Sequence, residues 1–328
     1  MLINIIFTLT VSLDTIIIHP AMIAPKSVAI SPDGKTAYIN NLEGMNSLIY
    51  NISNRRLKGK ITHTGKPVEA CFTDGGRLVW ISYYRLIGKG YPPCPDWRKY
   101  KTESIVVVYD TLKSEIIKRI KVGVIPKILR PSPDGRYVFV SNWNSHSISV
   151  IDSDSFRVLK EIKVGWVPRG VAFTIDSRYA YVVNMGGFTI SKIDVDSLKV
   201  VRTISKGVGN RPRHIVATPD SQYLLFTCHG DGYVRKLDLK TDSIVAKVKV
   251  GVQPRSCVLD PSGRYLFCVN YRSNTVSMIE INRMEVVAEA ETGLRPVGCD
   301  LTPDGKELWV TDYGSGSVHI YRIDYTKD

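Results

Sequence analysis

The sequence predicts an all-β protein, a seven-bladed β-propeller, and three observations predict it. A proline recurs at Pro25, Pro67, Pro126, Pro168, Pro212, Pro254 and Pro296, with gaps of 42, 59, 42, 44, 42 and 42 residues. Each proline opens the same succession of an apolar strand, a tight turn and a second apolar strand. The last copy is short, and the chain ahead of the first proline is the right length to complete it. A period of this size, with every segment strand-like, marks a ring of four-stranded blades. The repeat runs nearly end to end, so residues 1–328 are expected to form one domain, although the length could accommodate two.

The fourth repeat serves as the template. An inner strand is expected over Val171 to Thr174, a turn at Ile175-Asp176-Ser177 and a second strand over Tyr179 to Asn184. A turn at Met185-Gly186-Gly187 leads to a third strand, Thr189 to Asp194, and a fourth follows over Lys199 to Ile204. The Ser31-Pro32-Asp33-Gly34 version of the first turn has a mechanism: proline presets φ, aspartate bonds the backbone beyond it and glycine accepts positive φ. The acid closing the third strand (Asp110, Asp152, Asp194, Asp238, Glu280) stands where an Asx-type turn starts the last hairpin.

From Pro296 to Asp324 the seventh repeat falls about 13 residues short of its period. Residues 12–24 supply that length and include Thr15-Ile16-Ile17-Ile18, so the N-terminus is expected to give the outer strand of the last blade. That closure removes the exposed sheet edges of a linear array. The alternative for Met1 to Ile18 is a degenerate signal peptide. It lacks the positive n-region of a signal, and Asn4, Thr8, Thr10, Ser12 and Asp14 make it too polar to span a membrane.

The second repeat carries 17 extra residues between its second and third strands, around 85–104. Loops of this length in a tight repeat are functional or disordered. Tyr91, Trp97, Tyr100 and Pro92-Pro93 favour an ordered loop acting as a partial lid.

Charge is uneven: 44 Lys+Arg against 31 Asp+Glu, a net +13. This favours acidic partners, whether small anions, anionic glycans, acidic protein surfaces or nucleic acid. Of the six cysteines, Cys71, Cys228, Cys257, Cys268 and Cys299 lie in or at the ends of expected strands, Cys257, Cys268 and Cys299 where other repeats carry valine and Cys228 where four blades carry asparagine, and Cys94 lies on the inserted loop. There is no C-x-x-C and no Cys/His spacing suited to a metal, so free thiols and no metal are expected.

Tyr137-Val138-Phe139-Val140-Ser141-Asn142 and Tyr179-Ala180-Tyr181-Val182-Val183-Asn184, with the turns at 31–35 and 132–136 and the V-G-x-x-P-[RK] segments at 122–127, 164–169 and 250–255, resemble the Y-V-T-N β-propeller repeat family. That surface-layer-like family is similar in turn to propeller lactonases and to the haem-d domain of nitrite reductase. The resemblance implies a seven-bladed propeller and a periplasmic or extracellular location. It implies no single activity, because the fold hosts binders, enzymes and haem domains.

Two loops of each blade share one face, and the repeat register reads that face. The residue after each proline is Lys26, Val68, Lys127, Arg169, Arg213, Arg255 and Val297: five bases ringing one mouth of the channel. The residue after the Asn position is Leu42, Tyr84, Trp143, Met185, His229, Tyr271 and Tyr313, four of them aromatic. Cations beside aromatic surfaces suit anionic ligands with flat faces. Blades two and seven break the basic ring, and Glu69 is the one acid at the second position after a proline. Blade five differs most, with Arg213-His214 and Cys228-His229-Gly230-Asp231.

The preferred reading is a non-enzymatic, monomeric binder of an anionic ligand or partner, without a cofactor. Its site comprises Lys26, Lys127, Arg169, Arg213, Arg255, Tyr84, Trp97, Trp143, His229, Tyr271 and Tyr313. The alternatives are a lactonase-like hydrolase working from a channel cluster of Glu69, His214 and the arginines, and a single-stranded nucleic-acid or polyanion binder on the same face.

Overall fold

In the computed structural model, residues 7–87 and 101–327 are described. Their twenty-eight strands, numbered β1–β28 along the chain, form seven four-stranded antiparallel sheets, with a single three-residue 3-10 turn at 74–76. No helix among them is long and apolar enough to cross a membrane.

The fourth repeat shows how the expected elements fall. Its outer three strands are Tyr179–Asn184, Thr189–Asp194 and Lys199–Ile204, as the spacing indicates. The inner strand β14 (Pro168–Phe173) begins three residues earlier than expected, at the proline itself. Pro168 pairs with Asn184 and Val171 with Val182, so the register shifts between them. Such a bulge bends the strand and re-aims its side chains. The same shift follows the repeat proline in all seven blades, and it turns the next residue toward the channel.

Ring closure is as the sequence indicates. β1 (Phe7–Ile18) pairs with β28 (Ser317–Lys327), giving the sheet order β1-β28-β27-β26, where β26 is Pro296–Leu301 and β27 is Glu307–Asp312. At the closing joint, the half-buried Asp300 carboxylate accepts the Ile30 N–H at 2.8 Å and ties blade seven to the inner strand of blade one.

The Asn that ends many second strands is structural. The Asn142 amide donates to Ser147 and Ser149, Asn184 to Thr189 and Ser191, and Asn270 to Thr275 and Ser277, each pinning the next hairpin. The third-strand acids behave as Asx-turn acceptors: Asp152 accepts from Ser155, Asp194 from Ser197 and Asp238 from Thr241.

The insertion in blade two is partly ladder. Strands β7 (Leu78–Ile87) and β8 (Lys101–Asp110) extend past the normal hairpin and remain paired to Ile87↔Lys101. The ladder therefore runs on to Ile87 and Lys101, inside the stretch 85–104 expected to be loop. Tyr91, Cys94 and Trp97 lie outside the described residues, and the lid expectation lies with them.

Candidate anion site at the channel mouth

Lys127, Arg169 and Arg255, the first residues after their prolines, are each held from two sides. A residue with positive φ precedes the proline in six blades (Ala24, Ile125, Val167, Arg211, Gln253, Arg295) and turns the chain into the channel. For β-branched Ile125 and Val167 this conformation is costly, and strain of this kind gathers at functional sites. On the other side, a hydroxyl of the preceding blade holds the carbonyl of the base. Ser82 Oγ donates to Lys127 O at 2.7 Å, Ser141 Oγ to Arg169 O at 2.7 Å and Thr227 Oγ1 to Arg255 O at 2.8 Å. Gly170 lets blades four and five approach, since a Cβ there would stand 2.9 Å from Ile215 N and 3.0 Å from Arg213 O.

The expected bases converge. Lys26, Arg169 and Arg213 are buried at 7%, 8% and 6% exposure, while Lys127 and Arg255 are half-buried. Lys26 Nζ lies 3.6 Å from Glu69 Oε1. Neither Arg169 nor Arg213 makes a side-chain hydrogen bond or ion pair with another described residue, and Arg255 Nε is buried without a partner among them. Burial pushes Lys26 and Lys127 well below the usual lysine range. Glu69 offsets part of this for Lys26, and Arg169 and Arg213 act against both lysines. Arg169 and Arg255 are pushed down to about 10 by burial, Glu69 offsetting part of this for Arg169 and Arg169 adding its repulsion to Arg255. Arg213 is also held well below the usual arginine range, through burial and then its neighbours Arg169 and Arg255, with Glu69 opposing. A guanidinium stays protonated in a protein, so this cost is held as repulsion and is not relieved by losing a proton. It remains until an anion arrives.

Aromatic residues sit where the register puts them, but against the cations. Lys127 Nζ lies 4.6 Å from the Tyr84 ring centre and 5.6 Å from that of Trp143. Arg255 Cζ lies 3.5 Å from the Tyr271 centroid. Tyr313 is half-buried and close enough to hold the Arg255 charge up. His229 is buried and pushed down to about 3 by desolvation and by Arg213 and Arg255, so it is neutral.

The blade-five cluster does not converge on a common centre. The Cys228 thiol donates to Val208 O at 3.1 Å, and Asp231 pairs with Arg235 at 2.8 Å. His214 Nδ1 accepts the Cys257 N–H at 3.3 Å, which fixes that nitrogen as unprotonated. Burial, then Arg130 and Arg213, hold the ring neutral. Among the described residues, no group of three or more His, Cys, Asp or Glu could hold a metal ion. Sequence reasoning missed Arg130 and Asp300, four residues past their prolines. Asp300 is pushed up to about 6 by burial, with Arg130 opposing. The signal was charge at a position that other repeats give to Ala, Val or Cys. The hydroxyls on strand two were also missed.

Residues 158–289 match the family model "Lactonase, 7-bladed beta-propeller". The match covers under half of the chain, running from the outer strand of blade three to that of blade six. It includes Arg169, Arg213, His214 and Arg255, but not Lys26, Glu69 or Lys127. A solved structure of Kuenenia stuttgartiensis hydrazine synthase aligns over 91% of this chain and 95% of that chain, with a TM-score of 0.79 and 21% identity. At that identity the likeness shows the propeller fold alone. No curated protein matches the sequence.

Proposed function

We propose that the protein is a non-enzymatic binding propeller that takes an anionic ligand, or the acidic group of a partner, at the channel mouth. One observation carries this: Arg169 and Arg213 are more than nine-tenths buried, yet neither forms an ion pair or side-chain hydrogen bond with a described acid, and Glu69, which supports both charges from a distance, is shared with Lys26 and Lys127. Buried charges are ordinarily paired, because desolvation is otherwise uncompensated. The test is charge reversal. Arg213→Glu should weaken binding of pyrophosphate strongly and keep the fold. Lys306→Glu, in a turn on the opposite face, should do little. Titrations at low and high salt compare the two. Equal effects from both reversals, or no salt dependence, would sink the claim.

The partial lactonase match favours a second reading, a hydrolase built on Glu69 and His214. Against it, Glu69 is tied to Lys26 and His214 Nδ1 is taken by the Cys257 backbone. A panel of lactones with wild type and His214→Ala decides between them. His-dependent turnover, lost roughly 100-fold in the variant, would replace the binding reading.

A further inference from the structure

We infer that the ligand of this mouth is a compact oxyanion carrying two or more charges, held by guanidinium edges and not stacked on an aromatic face. The inference rests on the anion-binding reading above and narrows its chemistry.

Occupied ring faces are the first ground. Lys127 serves both Tyr84 and Trp143, at 4.6 Å and 5.6 Å. Arg255 lies on Tyr271 at 3.5 Å. A nucleobase or sugar ring seeking those faces must first displace a cation and lose its attraction to the ring. The aromatic side chains therefore act as backstops. Tyr271 orients the Arg255 plane and leaves the N–H edge for something else; its Nε is buried with no acceptor among the described residues.

Donor geometry is the second. Arg169 and Arg213 come from consecutive blades and make no side-chain bond to a described residue, so their planar forks are uncommitted. A fork of that shape matches phosphate or carboxylate oxygens two at a time.

Charge and size complete the case. Among the described residues, one carboxylate, Glu69, supports the charges of Lys26, Lys127, Arg169 and Arg213 together, and its ion pair is with Lys26. A monoanion would leave most of the repulsion standing, whereas a polyanion removes more of it. With Lys26, Arg169 and Arg213 only 6–8% exposed, the surface left for contact is small. Phosphoryl groups and clustered carboxylates share the required chemistry.

Calorimetric titration at low salt tests this with phosphate, pyrophosphate, citrate, acetate, AMP and a short single-stranded oligonucleotide. Pyrophosphate and citrate should bind at least about tenfold tighter than acetate, and AMP no tighter than phosphate. The stronger of pyrophosphate and citrate tells phosphoryl from carboxylate. Arg169→Gln and Arg213→Gln should each weaken the better probe by about 10- to 100-fold. Arg213→Lys keeps the charge but loses the fork, and should fall between wild type and Gln, which covers a Gln variant that folds poorly. Trp143→Leu should leave the ratio of AMP to phosphate affinity unchanged. AMP or the oligonucleotide binding about tenfold tighter than phosphate, with Trp143→Leu abolishing the gain, overturns the compact oxyanion and leaves anion binding standing. Acetate binding as well as pyrophosphate and citrate overturns the requirement for multiple charges. Failure of every probe, or equal weakening by Lys306→Glu, overturns the anion-binding reading itself.

Discussion

Acid should destabilise this protein well before its exposed carboxylates titrate, and buried histidines are the main reason. His63, His214 and His229 are buried. His63 is pushed down to about 4 by desolvation and Arg119, His229 to about 3, and His214 well below the usual histidine range. In the unfolded chain each takes up a proton near pH 6.5, but the folded chain refuses it until far lower pH. Between pH 6.5 and about 4 the unfolded state therefore binds more protons, and stability falls as pH falls. From pH 7 to 5, each histidine held neutral costs on the order of 2 kcal/mol by this linkage, so the three together cost roughly 5 kcal/mol. Asp300 opposes them. Its folded value near 6 lies above its unfolded one, so protonation favours the folded state as pH falls through 6. That returns on the order of 1 kcal/mol at pH 5. The net loss, about 4 kcal/mol, is a large share of the stability of an ordinary domain. Urea unfolding followed by tryptophan fluorescence at pH 7, 6 and 5 measures it. His63 Nε2 lies 2.8 Å from Ser47 Oγ, and its Nδ1 has no partner among the described residues. His63→Gln should therefore shrink the pH dependence by one histidine's share. Pyrophosphate should blunt the part due to His229, which sits among the arginines. A flat stability profile from pH 7 to 5, or an unchanged slope in His63→Gln, would refute the reasoning.

Two further outcomes follow from the fold. Deleting residues 1–18 removes β1 and bares β28 along the ladder from Phe7↔Lys327 to Ile18↔Ser317. Ile17 alone contributes about 2 kcal/mol by its burial, and an unpaired edge templates association; a truncated chain that stays monomeric with an unchanged Tm would contradict this. Burial pushes Cys71, Cys228 and Cys257 up to about 12, and Cys268 and Cys299 up as well. These five should resist a thiol reagent when native and react fully in denaturant without reductant, whereas any disulfide found by mass spectrometry would count against it.

The fold was legible in the sequence because a propeller writes one pattern seven times. Register then did what propensity could not, placing Lys26, Arg169 and Arg213 on one rim across nearly 190 residues of chain. What register cannot supply is side-chain direction. It put Trp143 and Tyr271 on the correct rim but gave no hint that Lys127 and Arg255 lie across their faces. It also grouped His214, Cys228 and Asp231 by proximity along one blade, whereas His214 turns to blade six and the other two turn to their own loops. The inner strand starts at the proline because the bulge lets that residue pair with the end of strand two, a geometry invisible in hydrophobic alternation.

The hydroxyl bonds from Ser82 to Lys127, Ser141 to Arg169 and Thr227 to Arg255 have a consequence for how such a molecule could be recombined. Repeats counted from proline to proline look like interchangeable cassettes. Each of these basic positions, however, is assembled from two consecutive cassettes, one giving the cation and the one before it giving the clamp. Swapping whole repeats would sever every clamp at the splice, even if each blade folded faithfully. The segment that travels intact runs from the second strand of one blade to the second strand of the next. Chimaeras cut there should keep the placement of the bases, and chimaeras cut at the prolines should lose it.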